Sequence, residues 1–383
     1  MSIRQVQYHH QVYLYICILN VHENIAGFIS IDCGLSGETG YVDDTTKISY
    51  APDAGYIDAG TNHNISDEHL TPSMYKHWHN VRSFAGTRNC YTLRSLESGL
   101  KYIIRANFLY GNYDGLNFQP VFDLYIGVNY WHTVNISGPG AAVYTEATVV
   151  VPEDSVQVCL VNTGGGTPFI SSLELRPLKR TLYPQATTAQ GLNLISRLNV
   201  GLTDDTNFIR YPDDPHDRIW YPWVDSVTWT EISTTKEVRS IDNGVFEAPS
   251  AVLRTAIMPR NASQNLKFTW SSQPTPFDPS PGYIVILHLT ELQVLGNAVR
   301  ELNVVFNDET WYTSGFRPDY LYGNALYITK PVRNSSYSLS IEATSNATLR
   351  PSINALEVFT VFPTTNLGTD SQDGMSCKNV LVL

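Results

Sequence analysis

The chain has 383 residues and a formal net charge of −11, and 43% of its residues are hydrophobic. Domains usually hold about 100 to 200 residues, so this length favours two or three domains with packed cores. The acidic balance excludes nucleic-acid binding as a leading function, because a phosphate backbone is bound by a basic face. No apolar run reaches the roughly 18 residues that a membrane-spanning helix needs. The 23 Tyr, 21 Pro and 25 Gly residues favour strands joined by many turns.

The most apolar stretch of the sequence lies near the amino terminus, at residues 12–21. Polar residues interrupt it and no clear small-residue cleavage site follows, but its length and position are typical of a secretory signal. We therefore expect residues 1–26 to be a signal peptide, with a wrongly assigned first exon as the alternative.

In chain order, four segments have the length and pattern of strands. Residues 101–110 and 283–289 are apolar runs, whereas residues 155–161 and 336–343 alternate with a period of two. Composition predicts turns at 111–115 and 162–166, and residues 162–168 lack the lysine of a phosphate-binding loop. No segment predicts an amphipathic helix longer than about ten residues. Short strands between frequent turns predict an all-β fold of antiparallel, jelly-roll-like sandwiches.

Internal similarity divides the chain into two related copies. Residues 40–50 and 201–211 share six of eleven positions, and the strings at 168–174 and 351–357 both end in Leu-Glu. The order is preserved while the offset between the copies grows, as loop insertions would cause. The repeat predicts domains at 27–178 and 190–363, with a linker at 179–189 and an atypical tail at 364–383.

A polar and aromatic loop after the first predicted strand is the best candidate for a ligand-binding site. A flat ring can stack on the C–H face of a sugar, and amides and carboxylates can bind its hydroxyls. The loop has both kinds of side chain: Tyr110, Asn112, Tyr113, Asp114, Asn117 and Phe118. The alternative is a turn whose polar groups serve the backbone and whose rings cap the core.

Two acidic motifs could bind calcium or act as acid and base. The pairs at 43–44 and 204–205 occupy the same place in both copies, which favours a shared structural role as caps of backbone N–H groups. The cluster of Asp213, Asp214 and Asp217 predicts a solvated turn.

His77 and His79 are spaced to lie on one side of a strand, as a metal pair requires. No third ligand is evident nearby, so neither a metal nor a cofactor is expected.

Three cysteines in the first copy, Cys33, Cys90 and Cys159, are predicted to be structural. Three thiols cannot all pair with one another, so at least one is expected to be free and buried. The sequence contains no C-x-x-C pair, which argues against a zinc ribbon or a redox site.

Five N-x-[ST] sequons fit a secreted protein and are the predicted N-glycosylation sites. They begin at Asn64, Asn135, Asn261, Asn334 and Asn346.

Five strings occur together in the first copy, at residues 28–35 (FISIDCGL), 88–91 (RNCY), 110–115 (YGNYDG), 157–163 (QVCLVNT) and 168–177 (PFISSLELRP). These strings resemble the malectin-like ectodomain of plant leucine-rich-repeat receptor kinases, including the symbiosis-receptor-like group. The resemblance runs from residue 27 to 363. The resemblance implies two tandem malectin-like antiparallel β-sandwiches. In that family, leucine-rich repeats, a transmembrane helix and a kinase follow, and this chain has no motif of theirs. We therefore expect an ectodomain that lacks its kinase.

The sugar site of animal malectin, a distant relative, is largely absent from this sequence. Where malectin has a Tyr-Phe pair this chain has Asn112 and Tyr113, so only the second position keeps a ring. Disaccharide binding by analogy with malectin is therefore not expected.

The resemblance implies a non-catalytic extracellular module that recognises a cell-wall glycan, a secreted peptide or a co-receptor. A cleft between the two sandwiches is the expected location, because ligand sites are common between domains. The module would be secreted, or lie on the extracellular face of the plasma membrane as part of the full-length receptor. One alternative is a carbohydrate-active enzyme or its binding accessory, and the enzyme needs two carboxylates about 5–9.5 Å apart. The other is a truncated gene product with no independent role.

Overall fold

The computed structural model describes residues 27–201, 208–223, 225–240, 244–311 and 315–365. In these residues the chain is almost entirely β, so the predicted fold class is confirmed. The predicted signal peptide and most of the predicted tail lie outside the described residues.

The strands described before residue 179 are β1 (Ile29–Asp32), β2 (Tyr41–Val42), β3 (Ser49–Pro52), β4 (Thr61–Asn64), β5 (Asn80–Ser83), β6 (Arg88–Leu93), β7 (Lys101–Leu109), β8 (Val121–Ile126), β9 (Asn129–Asn135), β10 (Ala142–Val150), β11 (Val156–Gly165), β12 (Phe169–Ile170) and β13 (Ser172–Leu178). Short 3-10 turns occupy Asp53–Gly55, Asp67–His69 and Lys76–Trp78.

The strands described after residue 179 are β14 (Gln190–Asn199), β15 (Tyr221–Pro222), β16 (Trp229–Ser233), β17 (Thr255–Pro259), β18 (Leu266–Ser271), β19 (Tyr283–Leu289), β20 (Leu302–Phe306), β21 (Glu309–Thr310), β22 (Asn324–Tyr327), β23 (Ser336–Ala343) and β24 (Ala355–Pro363). A single helical turn, α1 (Ser250–Leu253), precedes β17.

Three of the four predicted strands match the structure closely, and the fourth is longer than predicted. Strands β19 and β23 have the predicted bounds and β7 ends one residue early, but β11 continues into the glycine-rich tract to Gly165. The prediction of a turn at 162–166 is therefore wrong for most of that segment. After a register shift, Gly165 pairs with Val121 of β8, and a Cβ at position 165 would lie 2.6 Å from the Val121 carbonyl oxygen. The glycine permits a close approach of two strands rather than a chain reversal.

One large sheet runs through both halves of the chain in the order β2-β3-β1-β13-β7-β10-β14-β24-β19-β22, with β15 beside β14. The two halves join where β14 pairs antiparallel with β10, at Ala147–Asn193 and Thr148–Leu192. In the first half the sheet faces a second layer, β6-β11-β8-β9, and in the second half it faces β18-β23-β20-β21. Each pair of layers encloses a separate apolar core, centred on Phe108 and on Tyr283.

The segment predicted as a linker is packed against the shared sheet. Leu182 and Tyr183 are fully buried, and their carbonyl oxygens accept hydrogen bonds from Lys101 Nζ at 2.8 and 3.1 Å. The Tyr183 hydroxyl donates to Glu357 in the last strand at 2.8 Å. The connection between the halves is therefore held to strands on both sides of it.

A row of buried charges crosses the shared sheet where the halves meet. Adjacent strands carry Glu174 on β13, Arg105 on β7, Glu146 on β10, Arg197 on β14 and Glu357 on β24. None of these five side chains is more than 1% exposed. Their signs alternate from strand to strand, and we call them the charge ladder.

Ion pairs join the successive members of the charge ladder. Arg105 lies 2.6 Å from Glu174 and 2.8 Å from Glu146. Arg197 contacts the other Glu146 oxygen at 2.8 Å and Glu357 at 2.8 Å. Burial by itself raises the pKa of the Glu174 carboxyl, but three neighbouring arginines outweigh it and hold that pKa well below its usual range. Glu146 is thus shared between an arginine of each half.

The acidic cluster at 213–217 covers the ladder, so the prediction of a solvated turn is wrong for two of its three members. Asp217 is fully buried and accepts a hydrogen bond from Arg176 Nε at 2.7 Å. Asp214 is also fully buried and pairs with Arg218 at 2.8 Å. Only Asp213 is exposed. The sequence resembled a surface turn because two of the arginines around Asp217, Arg105 and Arg176, come from distant strands.

We expect Glu146→Gln to lower the free energy of unfolding by about 3 to 5 kcal/mol, because it leaves two buried arginines without their shared countercharge. Urea denaturation at pH 7 measures this loss. The matched control is Glu97→Gln, which breaks an exposed pair with Arg180 whose side chains are each 62% exposed. That change should cost less than about 1 kcal/mol. Equal losses in the two variants would contradict a stabilising role for the ladder.

Candidate functional site

An open cleft of about 590 Å³ lies between the two sandwiches, where the sequence predicted a ligand site. Its first wall is the β8–β9 hairpin of the first half. Its second wall is the 275–281 loop together with Arg333, and its floor is formed by β14 and the end of β24. Because both halves line it, neither sandwich alone forms this cleft.

Three aromatic rings form the mouth of the cleft. Tyr125 and Tyr130 come from the hairpin, and Phe277 comes from the loop that faces it. The Phe277 ring centroid lies 5.0 Å from that of Tyr130 and 6.5 Å from that of Tyr125. Phe277 is nevertheless 67% exposed, so most of its apolar surface remains accessible. A large exposed ring held beside two others is typical of a binding surface.

Local hydrogen bonds hold Phe277 in this position. The Thr275 N–H donates to the Asp278 carbonyl at 2.9 Å, and the Asp278 N–H donates to the Thr275 hydroxyl at 2.9 Å. These bonds close a tight turn with Phe277 near its tip. Arg333, 2.9 Å from the Asp278 carboxylate, anchors the turn to the second sandwich.

Polar groups deeper in the cleft connect the two halves. Trp131 Nε1 of the first half donates to Asn193 Oδ1 of the second half at 3.0 Å. Asp278 is the only acidic residue that lines the cleft in the described part of the chain, and it is paired with Arg333. The cleft combines ring faces, amides and one ion pair, a set of groups suited to binding.

The predicted loop at 110–118 lies outside the cleft, and its polar groups serve mainly the loop itself. Tyr110 is fully buried and donates its hydroxyl hydrogen to the Asp114 carboxylate. Asn112 Oδ1 accepts from the Asn117 backbone N–H at 2.9 Å. The Tyr113 ring packs 5.4 Å from the Phe169 ring, in the first core.

Phe118 is the one exposed ring of that loop, with 58% of it exposed, and Asn117 beside it is also exposed. Sugar binding by the loop remains a prediction, and Phe118 is its accessible aromatic group.

The three predicted structural cysteines separate into one pair and one thiol. Cys90 and Cys159 face each other on the adjacent strands β6 and β11 and form a disulfide. Cys33 is free and fully buried, and burial raises its pKa well above the ordinary value. The expectation of at least one buried free thiol is met.

Of the acidic pairs, the first has the capping role that the sequence predicted. Asp43 Oδ1 accepts from the backbone N–H groups of Thr45 and Thr46 at 3.1 and 2.7 Å. Asp204 and Asp205 lie outside the described residues.

The histidine pair is not on a strand, so that prediction is wrong. His77 lies in the Lys76–Trp78 turn and His79 directly follows it. In the described ranges no group of three or more His, Cys, Asp or Glu residues could hold a metal ion.

All five predicted glycosylation sites are exposed, as attachment of a glycan requires. Sequence reasoning located the cleft but missed its residues, since Tyr125, Tyr130 and Phe277 belong to no motif. The turn-forming residues that follow Phe277 (DPSPG) were the only signal in the sequence.

Comparisons with known proteins agree with this architecture. The malectin-like domain profile matches residues 31–361. Among curated proteins, the leucine-rich repeat receptor-like protein kinase At2g19210 of Arabidopsis thaliana is 38% identical over 351 residues, which is 91% of this chain and 39% of the relative. A second Arabidopsis receptor-like kinase, At1g51880, is 40% identical over 359 residues, 92% of this chain and 40% of the relative. The chain thus spans about two fifths of these relatives' length. No helix in the described part of the chain is long and apolar enough to cross a bilayer.

Solved structures with the same fold include plant receptor ectodomains. The extracellular domain of ANXUR2 from Arabidopsis thaliana superimposes with a TM-score of 0.70 at 17% identity, covering 87% of this chain and 96% of that one. The receptor-like kinase FER, in a structure with the plant peptide RALF23 and LLG2, gives a TM-score of 0.65 at 15% identity, covering 88% and 95%. These identities establish a shared fold and nothing more. The profile match, which spans residues 31–361, shows that the chain belongs to the malectin-like domain family.

Proposed function

We propose that this protein is a non-catalytic extracellular recognition module of the receptor-kinase type and that the cleft between its sandwiches binds the ligand. The observation that carries the proposal is the exposed Phe277 ring, held against Tyr130 of the other half at the mouth of the cleft. A ligand seated there contacts both sandwiches at once.

A secreted peptide, presented with a co-receptor, is the ligand class that we favour. The curated relatives are named as receptor-like kinases, and the FER structure was solved with a peptide and LLG2. The open cleft and its exposed aromatic rim also suit an extended chain, because hot spots of peptide interfaces are commonly aromatic. A cell-wall glycan is the second candidate, since the same rings can stack on sugars.

Glycoside hydrolysis receives no support from the lining of this cleft. That reaction uses two carboxylates about 5 to 9.5 Å apart. Asp278 is the only carboxylate among the described lining residues, and its pairing with Arg333 favours an anchoring role.

For the cleft, we expect Phe277→Ala to weaken ligand binding at least about tenfold, because the loss of an aromatic anchor typically costs 2 kcal/mol or more. The probes are RALF23 with LLG2 and an array of plant cell-wall oligosaccharides, measured by surface plasmon resonance on the purified chain. Val294→Ala is the control, since it truncates an apolar side chain that is 80% exposed and lies outside the cleft. Failure of both probes to bind, or equal weakening by the two variants, would contradict the proposal.

For the compartment, we expect the chain to be secreted and N-glycosylated when plant cells express it with its own amino terminus. Glycosidase treatment of the medium fraction should lower the apparent mass of the protein. Replacing the five sequon asparagines by Gln should abolish the shift, whereas Asn62→Gln, an exposed neighbour outside any sequon, should leave it intact. Retention in the cell without a mass shift would instead support a truncated product.

A further inference from the structure

A second, smaller cavity lies on the opposite face of the shared sheet from the cleft. Asn193, in the cleft, pairs with Ala147 of β10, whereas Tyr144 of the same strand lines the second cavity. Residues 144 and 147 point to opposite faces of the sheet because side chains alternate along a strand. We call this second cavity the aromatic slot.

Two stacks of rings form the walls of the slot, and both halves of the chain contribute to them. The His77 ring is stacked between Tyr50 and Tyr75, with ring centroids 5.0 and 5.6 Å away. The second stack is Tyr144 on Tyr221, whose centroids lie 5.5 Å apart with an interplanar angle of 21°. The walls are therefore held in place by contacts within the protein.

Phe208 lies between the two stacks. Its ring centroid is 6.3 Å from that of Tyr75 and 5.9 Å from that of Tyr221. Tyr75, Phe208 and Tyr221 are each half-buried, and so is Tyr144. Each of these four rings therefore keeps surface that a ligand in the slot can cover.

The charged groups in the lining of the slot already have partners. Glu174 lies 2.6 Å from Arg105, and Arg210 lies 2.7 Å from Asp217. A charged ligand would lose its hydration in the slot without meeting an unpaired countercharge, and that loss costs free energy. The slot therefore disfavours ions.

The neutral polar groups in the lining are unavailable as well. The Asn107 side-chain amide donates to the Ser172 hydroxyl at 2.9 Å. His77 is only 4% exposed and its Nδ1 atom is buried. Burial lowers the pKa of this imidazole to about 4, so at pH 7 it is a neutral ring of the wall. A ligand rich in hydroxyls would leave its own polar groups unpaired here, which costs free energy.

We propose that the aromatic slot binds a single neutral aromatic ring, at a site separate from the cleft and independent of the ligand proposed there. The cavity measures about 130 Å³. An apolar cavity of about 150 Å³ holds one benzene molecule, so the slot has room for one ring and not for a chain. Aromatic rings attract one another in offset-stacked or edge-to-face contacts, and the half-buried rings of Tyr75, Phe208 and Tyr221 offer such contacts. The bound ring belongs either to a free molecule of the phenol or indole class or to a side chain of a peptide.

Saturation-transfer NMR on the full chain tests this proposal. The neutral aromatic probes are p-cresol and indole, as free molecules, and N-acetyl-phenylalanine amide, as a peptide side chain. Benzoate is the charged aromatic control, and methyl β-D-glucopyranoside is a neutral ring that is not aromatic. We expect saturable binding of at least one neutral aromatic probe and none of the two controls.

The probes also distinguish the two sources of the ring. Binding of the phenylalanine amide supports a peptide side chain, whereas binding of p-cresol or indole alone supports a free molecule. Absence of saturable binding by all three neutral aromatic probes would overturn the proposal. Binding of benzoate or of the glycoside would overturn it too, because the slot would then accept charge or hydroxyl groups.

Position 142 allows the slot to be filled without removing any of its walls. Ala142 is exposed, begins β10 and lines the slot. We expect Ala142→Trp to abolish binding of the neutral aromatic probes, because the new side chain occupies the slot. Ala343→Trp, at an exposed strand end outside the slot, is the matched control and should bind as the wild type does. Binding that survives Ala142→Trp refutes the slot as the site.

Two substitutions of Tyr75 test whether its ring is what the ligand contacts. Tyr75→Phe keeps the ring and removes only the hydroxyl, so it should bind as the wild type does. Tyr75→Leu keeps an apolar side chain without a ring, so we expect binding about three to ten times weaker. Equal binding by the two variants would contradict recognition through ring contacts. This comparison applies even if Ala142→Trp fails to fold.

Phe277→Ala separates the slot from the cleft, because it removes a ring at the mouth of the cleft and none from the slot. We expect it to leave binding of the neutral aromatic probes unchanged, even where it abolishes ligand binding in the cleft. Loss of that binding in Phe277→Ala would assign the probes to the cleft and overturn the slot as their site.

Discussion

The pairing of Glu146 with one arginine from each half is the contact on which the arrangement of this molecule depends. Burying an isolated charge costs several kcal/mol even after the protein relaxes. Here each inner member of the charge ladder lies between two opposite charges on neighbouring strands, at distances of 2.6 to 2.8 Å. Shifting one strand along its neighbour would leave buried charges facing apolar groups. The charge ladder therefore specifies one register between β10 and β14. The backbones of these two strands are paired at only two positions.

The candidate cleft follows from that register. It brings the β8–β9 hairpin of the first half opposite Phe277 of the second half. Its lining residues come from both halves of one continuous sheet. A fixed junction keeps the rings of the cleft in place without a ligand, which reduces the entropy cost of binding.

Sequence patterns predicted the strands well where a strand is buried on both faces, or is buried on one face and exposed on the other. Tyr283–Leu289 is apolar at six of its seven positions because the strand is buried on both faces. Ser336–Ala343 alternates because one of its faces meets solvent. The pattern was misleading where residues serve a distant partner. Gly165 looked like part of a turn but permits contact with Val121, and Asp217 looked solvated but lies among arginines from other segments.

The sequence by itself determined the fold class, the twofold repeat and the presence of a free thiol, because these follow from local periodicity, internal similarity and an odd number of cysteines in the first copy. The family was recognised by the resemblance of five motif strings. Only the tertiary structure decided which cysteines pair, which charges are buried and which rings meet. Tyr130 and Phe277 are 147 positions apart in the chain and become neighbours only when the two sandwiches are joined. Contacts of that kind depend on strand order and register across the whole sheet, and no window of local sequence encodes them.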